Sequence, residues 1–354
     1  MKTAGRNKTI DIGKGICMFC VIWGHVIQKG LLDVGYEQNV IYKFIYAFHM
    51  PMLMLFSGYL FYSSLQKYSV QELLKRKIMQ LAVPIFVWNT IYYALDVLLY
   101  NAIDVRAFSV VGYIKYLFSG LWFLWAILFY SILLTFIGKK IENKKHRIIL
   151  TVLSFLVLLI SPNRWRLIFE YCFFLLGYII KACNIRMKAS ATVGALTIVF
   201  WGGGIILVIY SRWYRFLRMD ISPFVLAVAS RNISEIGRAS LNLVIAFIIS
   251  SIGCLAITVF SSTLTKFLLK SKGLVNVIAW IGCNSLQIYV LQRIVLELCF
   301  ANILKMNDIS MFTNTEIING ILSFVIAVIF TGIMWALIKV FKRLHLDGIL
   351  FGRH

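Results

Sequence analysis

The sequence predicts an all-helical integral membrane protein, a bundle of about ten transmembrane helices with both termini in the cytoplasm. Hydrophobic residues make up 60% of the 354 residues and charged residues only 14%, with a mean hydropathy of +0.84, whereas a soluble domain carries roughly 25% charged residues. The apolar residues form successive runs of about 20, the length that crosses a hydrocarbon core of roughly 30 Å. Lipid is therefore expected to be the main solvent of this chain.

Ten apolar runs are long enough, or nearly so, to span a membrane, and the fifth and sixth are the shortest. They lie near 10–28, 41–63, 78–100, 117–138, 147–162, 166–182, 189–210, 240–265, 274–300 and 317–341. Because only short polar breaks separate the runs, and no long flexible linker is present, residues 1–354 are expected to form a single transmembrane domain.

The distribution of basic residues orients the bundle. With ten spans both termini lie on one side, and the segments on that side hold 23 of the 36 Lys and Arg residues. Cytoplasmic segments carry the excess of positive charge in membrane proteins, so both termini are predicted to be cytoplasmic. The first apolar run lacks a small-residue cleavage site and is expected to remain as a helix.

The net charge of +22 is distributed as short basic clusters between apolar runs, which indicates membrane topology rather than nucleic-acid binding. The seven Cys are odd in number and lie mostly in apolar segments, which argues against a disulfide framework. Cys17 and Cys20 form a CxxC that is interpreted as helix packing.

Polar side chains inside a span are costly and therefore mark functional or paired positions. Ten candidates fall within the predicted spans: His25, His49, Asn89, Asp96, Glu170, Asn284, Gln287, Gln292, Arg293 and Glu297. Asp96 and Glu170 are open to two interpretations, a pair with a basic neighbour or a position near the membrane surface. The Arg212, Arg215, Arg218 series beside Trp213 is interpreted as an interfacial segment, with glycan or lipid-phosphate binding as the alternative.

The two histidines fall at the same predicted depth. His25 lies roughly 20 Å from the cytoplasmic end of the first span, and His49 roughly 12 Å below the outer surface in the second. Both imidazoles are thus expected in the outer half of the membrane, facing one cavity. Lys14 precedes His25 by 11 residues, which places both on one face of a helix about three turns apart. No third ligand at a recognisable spacing supports a metal site.

The order of several motifs resembles a known family. IDIGKGICMFCVIWGH (Ile10 to His25) and FHMPMLMLFSGYLF (Phe48 to Phe61) resemble the opening of the acyltransferase family 3 membrane proteins, in particular the branch similar to fucose 4-O-acetylases. KRKIMQLAVPIFVW, LWFLWAILFY, FFLLGYII and IGCNSLQIYVLQ are similar to later landmarks of that family, in the same order. The resemblance covers most of the chain and implies the same ten-span architecture.

The resemblance implies transfer of an acetyl group from acetyl-CoA, a substrate rather than a bound cofactor, to a hydroxyl of a cell-envelope carbohydrate or lipid-linked glycan in the bacterial cytoplasmic membrane. Family members carry an essential basic residue, usually Arg, and an essential histidine at the positions of Lys14 and His25. Gln292 stands where many members have histidine, so a base at that position is not expected here.

Mechanistic roles follow from these residues. His25 is expected to act as general base with His49 assisting, and Lys14, Lys75, Arg76 and Lys77 to attract the phosphates of acetyl-CoA at the cytoplasmic face. Trp122 and Asn284 are expected to line the cavity. An acyl-histidine intermediate stays an alternative.

Three other functions are weighed against this hypothesis. A transporter or flippase for a glycan would also place polar residues inside helices, but it would be expected to show internal repeats, and none is evident. A sensor without catalysis would not need Lys14 and His25. Another donor, such as succinyl-CoA, is equally compatible with the sequence.

Overall fold

The computed structural model describes residues 7–30, 35–100, 109–140, 143–158, 164–185, 194–195, 197, 199, 202–203, 222–267, 272–301 and 316–352. Across these ranges the regular secondary structure is helical, with no strand. The predicted all-helical class is confirmed. The interfacial arginine series at 212–218 lies outside the described residues.

The helices follow one another with short connections. They are α1 Lys8–Gly30, a 3₁₀ turn Tyr36–Gln38, α2 Val40–Tyr46, α3 His49–Lys67, α4 Val70–Lys77, α5 Val83–Tyr100, α6 Val110–Ser119, α7 Trp122–Lys140, α8 Lys144–Leu158, α9 Arg164–Ala182, α10 Ser222–Ala229, α11 Ile233–Phe267, α12 Lys272–Cys283, α13 Ser285–Gln292, α14 Glu316–Arg343 and α15 Asp347–Phe351. Two π-helical segments interrupt this series, Ile78–Ala82 between α4 and α5 and Arg293–Phe300 after α13.

Six stretches of the described chain are long and apolar enough to cross a membrane. They are Lys8–Gly30, Val40–Lys67, Val70–Leu98, Trp122–Lys139, Ile233–Thr265 and Asn319–Arg343. A seventh is Gly273–Cys283 together with Ser285–Phe300, which meet at a bend of 71°. This is a membrane protein.

These stretches match the first, second, third, fourth, eighth and tenth predicted spans, and the bent pair occupies the ninth. The fifth predicted span falls on α8, in which Ile148–Leu158 is a shorter apolar helix. The sixth falls on α9, which has two arginines in its first three residues. The seventh, near 189–210, lies mostly outside the described residues. The count of ten and the cytoplasmic orientation stay predictions.

Local sequence signals explain where the third spanning stretch begins and bends. Ser69 accepts from the Glu72 amide at 3.3 Å while the Glu72 carboxylate accepts from the Ser69 amide at 3.1 Å, a capping box that starts α4. The π segment Ile78–Ala82 then ends two residues before Pro84, whose missing N–H removes a helical hydrogen bond. This widened π-helical turn therefore joins the basic residues at the end of α4 to the helix α5.

The tightest packing of the bundle is between α3 and α9, which approach through glycines. A Cβ atom on Gly58 would overlap the Phe174 carbonyl, and a Cβ atom on Gly177 would overlap the Leu55 carbonyl. Small residues allow this close approach of helix backbones in a membrane. The N-terminal ends of both helices reach the same cavity, so α3 and α9 run in the same direction.

Gly177→Ala is expected to destabilise the protein by about 1–3 kcal/mol, because its Cβ would overlap the Leu55 carbonyl and push two helix backbones apart. The apparent melting temperature of the detergent-purified protein measures this. Gly332→Ala is the matched control, because nothing lies within 4 Å of the added Cβ on α14. Equal melting temperatures for the two variants would contradict the close approach.

Candidate functional site

A cavity of about 530 Å³ opens at one end of the bundle, within the roughly 300–1,000 Å³ typical of small-molecule sites. Its wall combines the C-terminal half of α1, the turn Tyr36–Gln38, the end of α2, the N-terminal ends of α3, α7 and α9, and the junction between α13 and the second π segment. Elements far apart in sequence therefore meet around one space.

The structure brings both predicted histidines to this cavity. His25 projects from α1, and His49 is the first residue of α3. The His49 Nδ1 atom lies 2.7 Å from the Ile45 carbonyl oxygen. Because a carbonyl only accepts, Nδ1 carries the proton and the neutral ring keeps its lone pair on Nε2. The Tyr46 ring packs edge-on against the imidazole with centroids 4.6 Å apart, which fixes the ring's orientation.

A chain of charged and polar contacts connects His25 to the opposite wall. Its Nδ1 atom lies 3.7 Å from Glu297 Oε1, and Glu297 Oε2 lies 3.7 Å from Arg293 Nε. Arg293 Nη1 donates to Asn89 Oδ1 at 2.6 Å. Arg293 and Glu297 both belong to the second π segment, where residues four apart face the same side. Four of the ten polar positions singled out in the sequence thus form one network.

Arg293 is held by its surroundings as well as by hydrogen bonds. Its guanidinium lies over the Tyr92 ring at 4.2 Å and over the Tyr116 ring at 5.3 Å from the centroids. Gly120 makes room for it, since a Cβ there would overlap both Arg293 Nη1 and Asn89 Oδ1. The connection between α6 and α7 is thus shaped around the arginine.

Glu170 and Gln292 reach the cavity from two other helices. Glu170 is fully buried on α9, and neither carboxylate oxygen has a hydrogen-bond donor among the described residues. Gln292 is 2% exposed, and its Oε1 atom likewise has no donor there. The sequence left Glu170 open to a pair with a basic neighbour or a position near the membrane surface. The structure gives a third interpretation, a buried carboxylate on a cavity wall.

Trp122 lines the cavity at the first position of α7. The Arg166 guanidinium lies 5.0 Å from its ring centroid. Arg166 is an exposed residue of α9 and precedes Glu170 by one helical turn. The aromatic ring and the guanidinium therefore form one side of the cavity mouth.

Asn284, predicted as a cavity residue, is not among the residues that line this cavity. It sits at the bend between α12 and α13, where its Nδ2 donates to the Trp280 carbonyl at 2.8 Å. Lys342 Nζ donates to its Oδ1 at 3.3 Å. Asn284 thus connects the bend to the preceding turn and to α14.

The predicted phosphate-binding residues lie apart from the cavity. Lys75 and Arg76 are exposed at the end of α4, and Lys77 lies close enough to Lys14 for their charges to interact. Lys14 is half-buried, and α1 is one unbroken helix from it to His25. The separation along that helix is about 16 Å.

The face of α1 between Lys14 and His25 carries Met18 and Val21. Met18 is 1% exposed, and Val21 forms the floor of the cavity beneath His25. The cavity therefore ends before it reaches Lys14 in this conformation.

Sequence reasoning did not identify Arg166, Gly120, Tyr46 or Tyr289 as site residues. Arg166 and Gly120 lie outside or at the edge of the apolar runs, where polar and small residues are ordinary. The tyrosines are common in membrane helices. No signal in one sequence separates such residues from structural ones, because the cavity is formed by chain folding.

Comparisons with known proteins fit this arrangement. A family model described as an acyltransferase domain, that of acyltransferase family 3, matches residues 7–338. Nodulation protein NolL of Mesorhizobium japonicum is 29% identical over 127 residues, 35% of this chain and 34% of that protein. NolL of Sinorhizobium fredii is 27% identical over 125 residues, with the same coverage.

The alignments thus span about a third of each relative's length. No solved structure matches at a significant level. The family model, by contrast, covers nearly all of the chain, including every described element of the cavity wall. This membrane protein belongs to acyltransferase family 3.

Proposed function

We propose that the protein is a membrane-bound O-acyltransferase that moves an acetyl group from acetyl-CoA to a hydroxyl of a cell-surface polysaccharide or its lipid-linked precursor. The supporting observation is that His25 and His49, from different helices, face one cavity among membrane helices. With the predicted topology, the cavity lies in the outer half of the bacterial cytoplasmic membrane.

A sugar hydroxyl is a poor nucleophile and benefits from a base positioned on its proton. The hydroxyl oxygen attacks the thioester carbonyl while His25 takes the hydroxyl proton. The new C–O bond forms, the C–S bond breaks, and the proton passes from His25 to the departing sulfur, so that coenzyme A leaves as a thiol. General-base catalysis of this kind is typically worth 10²–10⁴-fold.

Glu297 is a positioning residue for His25. A carboxylate 3.7 Å from Nδ1 favours the tautomer with the proton on that atom, which leaves Nε2 as the base. The Arg293 contact holds Glu297 in place. His49 is buried at the cavity wall, and its Nε2 lone pair accepts a hydrogen bond from an acceptor hydroxyl and so helps to orient it.

The cavity also favours negative charge on the thioester oxygen during attack. The N-terminal ends of α3 and α7 reach it, and a helix N-terminus carries a partial positive charge. Arg166 and Arg293 stand on its wall together with Glu37, Glu170 and Glu297, so the helix ends rather than a net positive charge support this role. Donors and dipoles already in place stabilise the charge that develops in the transition state.

Acetyl-CoA is proposed to bind with its phosphates at Lys14 and Lys77 and the exposed Lys75 and Arg76. The proximity of Lys14 to Lys77 supports a joint anion site, because two neighbouring cations attract a polyphosphate more strongly than either alone. The thioester arm then follows the face of α1 toward His25.

Lys14→Ala is expected to raise the KM for acetyl-CoA about 10-fold, the effect of losing one charge-assisted contact. The expected kcat change is small, because Lys14 lies about 16 Å from the reacting atoms. Steady-state kinetics of the purified protein in lipid nanodiscs measure both constants. Lys14→Arg, which keeps the charge, is expected to stay near wild type; a wild-type KM in Lys14→Ala would remove Lys14 from the donor site.

The proposed function is tested on the isolated surface polysaccharide. Proton NMR before and after mild alkali compares the O-acetyl signal in the wild type, a deletion strain and the complemented strain. The deletion is expected to lose an alkali-labile acetyl signal that complementation restores. An unchanged spectrum would contradict acetylation of the polysaccharide, and loss of a succinyl signal instead would identify a different donor.

A further inference from the structure

The geometry points to a subsite for the acyl acceptor in which Glu170 and Gln292 accept hydrogen bonds from hydroxyl groups next to the one that reacts. The inference rests on the proposed function and names the residues that hold its second substrate. The ligand class is a polyhydroxylated ring that presents a pair of adjacent hydroxyls to the carboxylate.

The buried carboxylate of Glu170 is the stronger of the two observations that support this subsite. A carboxylate withdrawn from water without hydrogen bonds is costly, and most buried polar groups in folded proteins are satisfied. Glu170 is 0% exposed, lines the cavity, and has no donor to either oxygen among the described residues. Carboxyl oxygens accept hydrogen bonds, so a ligand hydroxyl that reaches this site can donate to Glu170.

The neighbouring Arg166 guanidinium does not donate a hydrogen bond to Glu170. Arg166, one turn earlier on α9, acts on it electrostatically, but its guanidinium lies over the Trp122 ring at 5.0 Å. No ion pair within 4.0 Å joins the two side chains in the described part of the chain. Arg166 thus offsets part of the charge and leaves both oxygens open for hydrogen bonding.

Gln292 supplies a second acceptor from a different helix. Its Oε1 atom is buried, lines the same cavity and has no donor among the described residues. Gln287 also lacks partners, but it does not line the cavity and so does not belong to the subsite. Two open acceptors on one wall match a ligand with several hydroxyl donors.

The position of the subsite relative to the base agrees with this role. Glu170 lies on α9, parallel to α3, and His49 opens α3 on the same cavity. All four residues line this cavity, so a ring whose hydroxyls bind Glu170 and Gln292 lies in the same space as His25 and His49. The partly buried Trp122 adds apolar surface for the ring's C–H face.

Glu170→Gln tests the subsite while conserving side-chain volume. We expect the KM for the acceptor to rise about 10- to 100-fold, because the glutamine amide offers one acceptor oxygen where the carboxyl group offers two. The KM for acetyl-CoA is expected to stay within about twofold of wild type. Gln292→Ala, on another helix, is expected to change the same constant in the same direction.

The assay uses the full chain in lipid nanodiscs, radiolabelled acetyl-CoA, and polysaccharide from the deletion strain as acceptor. Glu235→Gln is the matched control, because Glu235 is an exposed carboxylate on α11. An acceptor KM within twofold of wild type in both Glu170→Gln and Gln292→Ala would overturn the subsite. So would an equal rise in the KM values for acceptor and donor, which would indicate a general structural effect.

Failure of the proposed function gives a different result. If wild-type protein transfers no acetyl group to the polysaccharide yet hydrolyses acetyl-CoA, the acceptor class is wrong, and with it the subsite. If His25→Ala retains transfer while Glu170→Gln raises the acceptor KM, the base is misassigned and the subsite stands.

Discussion

His25→Ala is expected to lower kcat for acetyl transfer by about 10²–10⁴-fold, the usual contribution of a general base. Acetyl-CoA hydrolysis is expected to fall with it, because water needs the same base. The KM for acetyl-CoA should change little, since the proposed phosphate site at Lys14 lies about 16 Å away along α1. Single-turnover kinetics in nanodiscs and the O-acetyl content of cell polysaccharide provide two independent measurements.

The control for this experiment is His146→Ala. His146 is exposed on α8 and outside the cavity wall, so its loss is expected to leave transfer at the wild-type rate. Both variants must reach the membrane at the wild-type level. Wild-type turnover in His25→Ala would exclude His25 as the base and direct attention to His49, whose Nε2 also faces the cavity as an acceptor.

Arg293→Lys is expected to lower kcat by about 10- to 100-fold and also to reduce stability. Lysine has no planar fork and cannot contact Asn89 and Glu297 at once. The Asn89 Oδ1 acceptor, on a residue that is 0% exposed, would lose its bond, at a cost of about 1–3 kcal/mol. Glu297 would also lose the contact that holds it toward His25.

Two measurements separate these effects of Arg293→Lys. The apparent melting temperature reports the lost hydrogen bond, and kcat at a temperature where the variant is fully folded reports the displaced Glu297. Arg238→Lys, at an exposed position of α11, is the matched control and should change neither. Full activity and an unchanged melting temperature in Arg293→Lys would show that charge alone suffices at this position.

The Glu297–Arg293 pair also explains why a π-helical segment occurs here. π-turns are rare and appear mostly at functional sites. The segment Arg293–Phe300 widens the helix where the arginine meets Asn89 and the carboxylate meets His25. The cost of the irregular turn is offset by a connected network across the cavity.

The sequence alone determined the class of the protein and most of its polar site. Apolar runs of spanning length have no stable alternative to helices in lipid, because every backbone group must be hydrogen-bonded within its own segment. The same cost of polarity in a membrane singled out His25, His49, Glu170, Arg293 and Glu297. All five line one cavity in the folded chain.

Only the tertiary structure decided how these residues meet. Hydropathy does not show that α12 and α13 meet at 71°, or that Asn284 is not among the residues that line the cavity. It does not show that Gly120 leaves room for Arg293, or that Arg166 lies over Trp122. The physical reason is that burial in a membrane is set by each residue's own chemistry, whereas contacts between helices depend on crossing angles and close approach that residues distant in sequence create together.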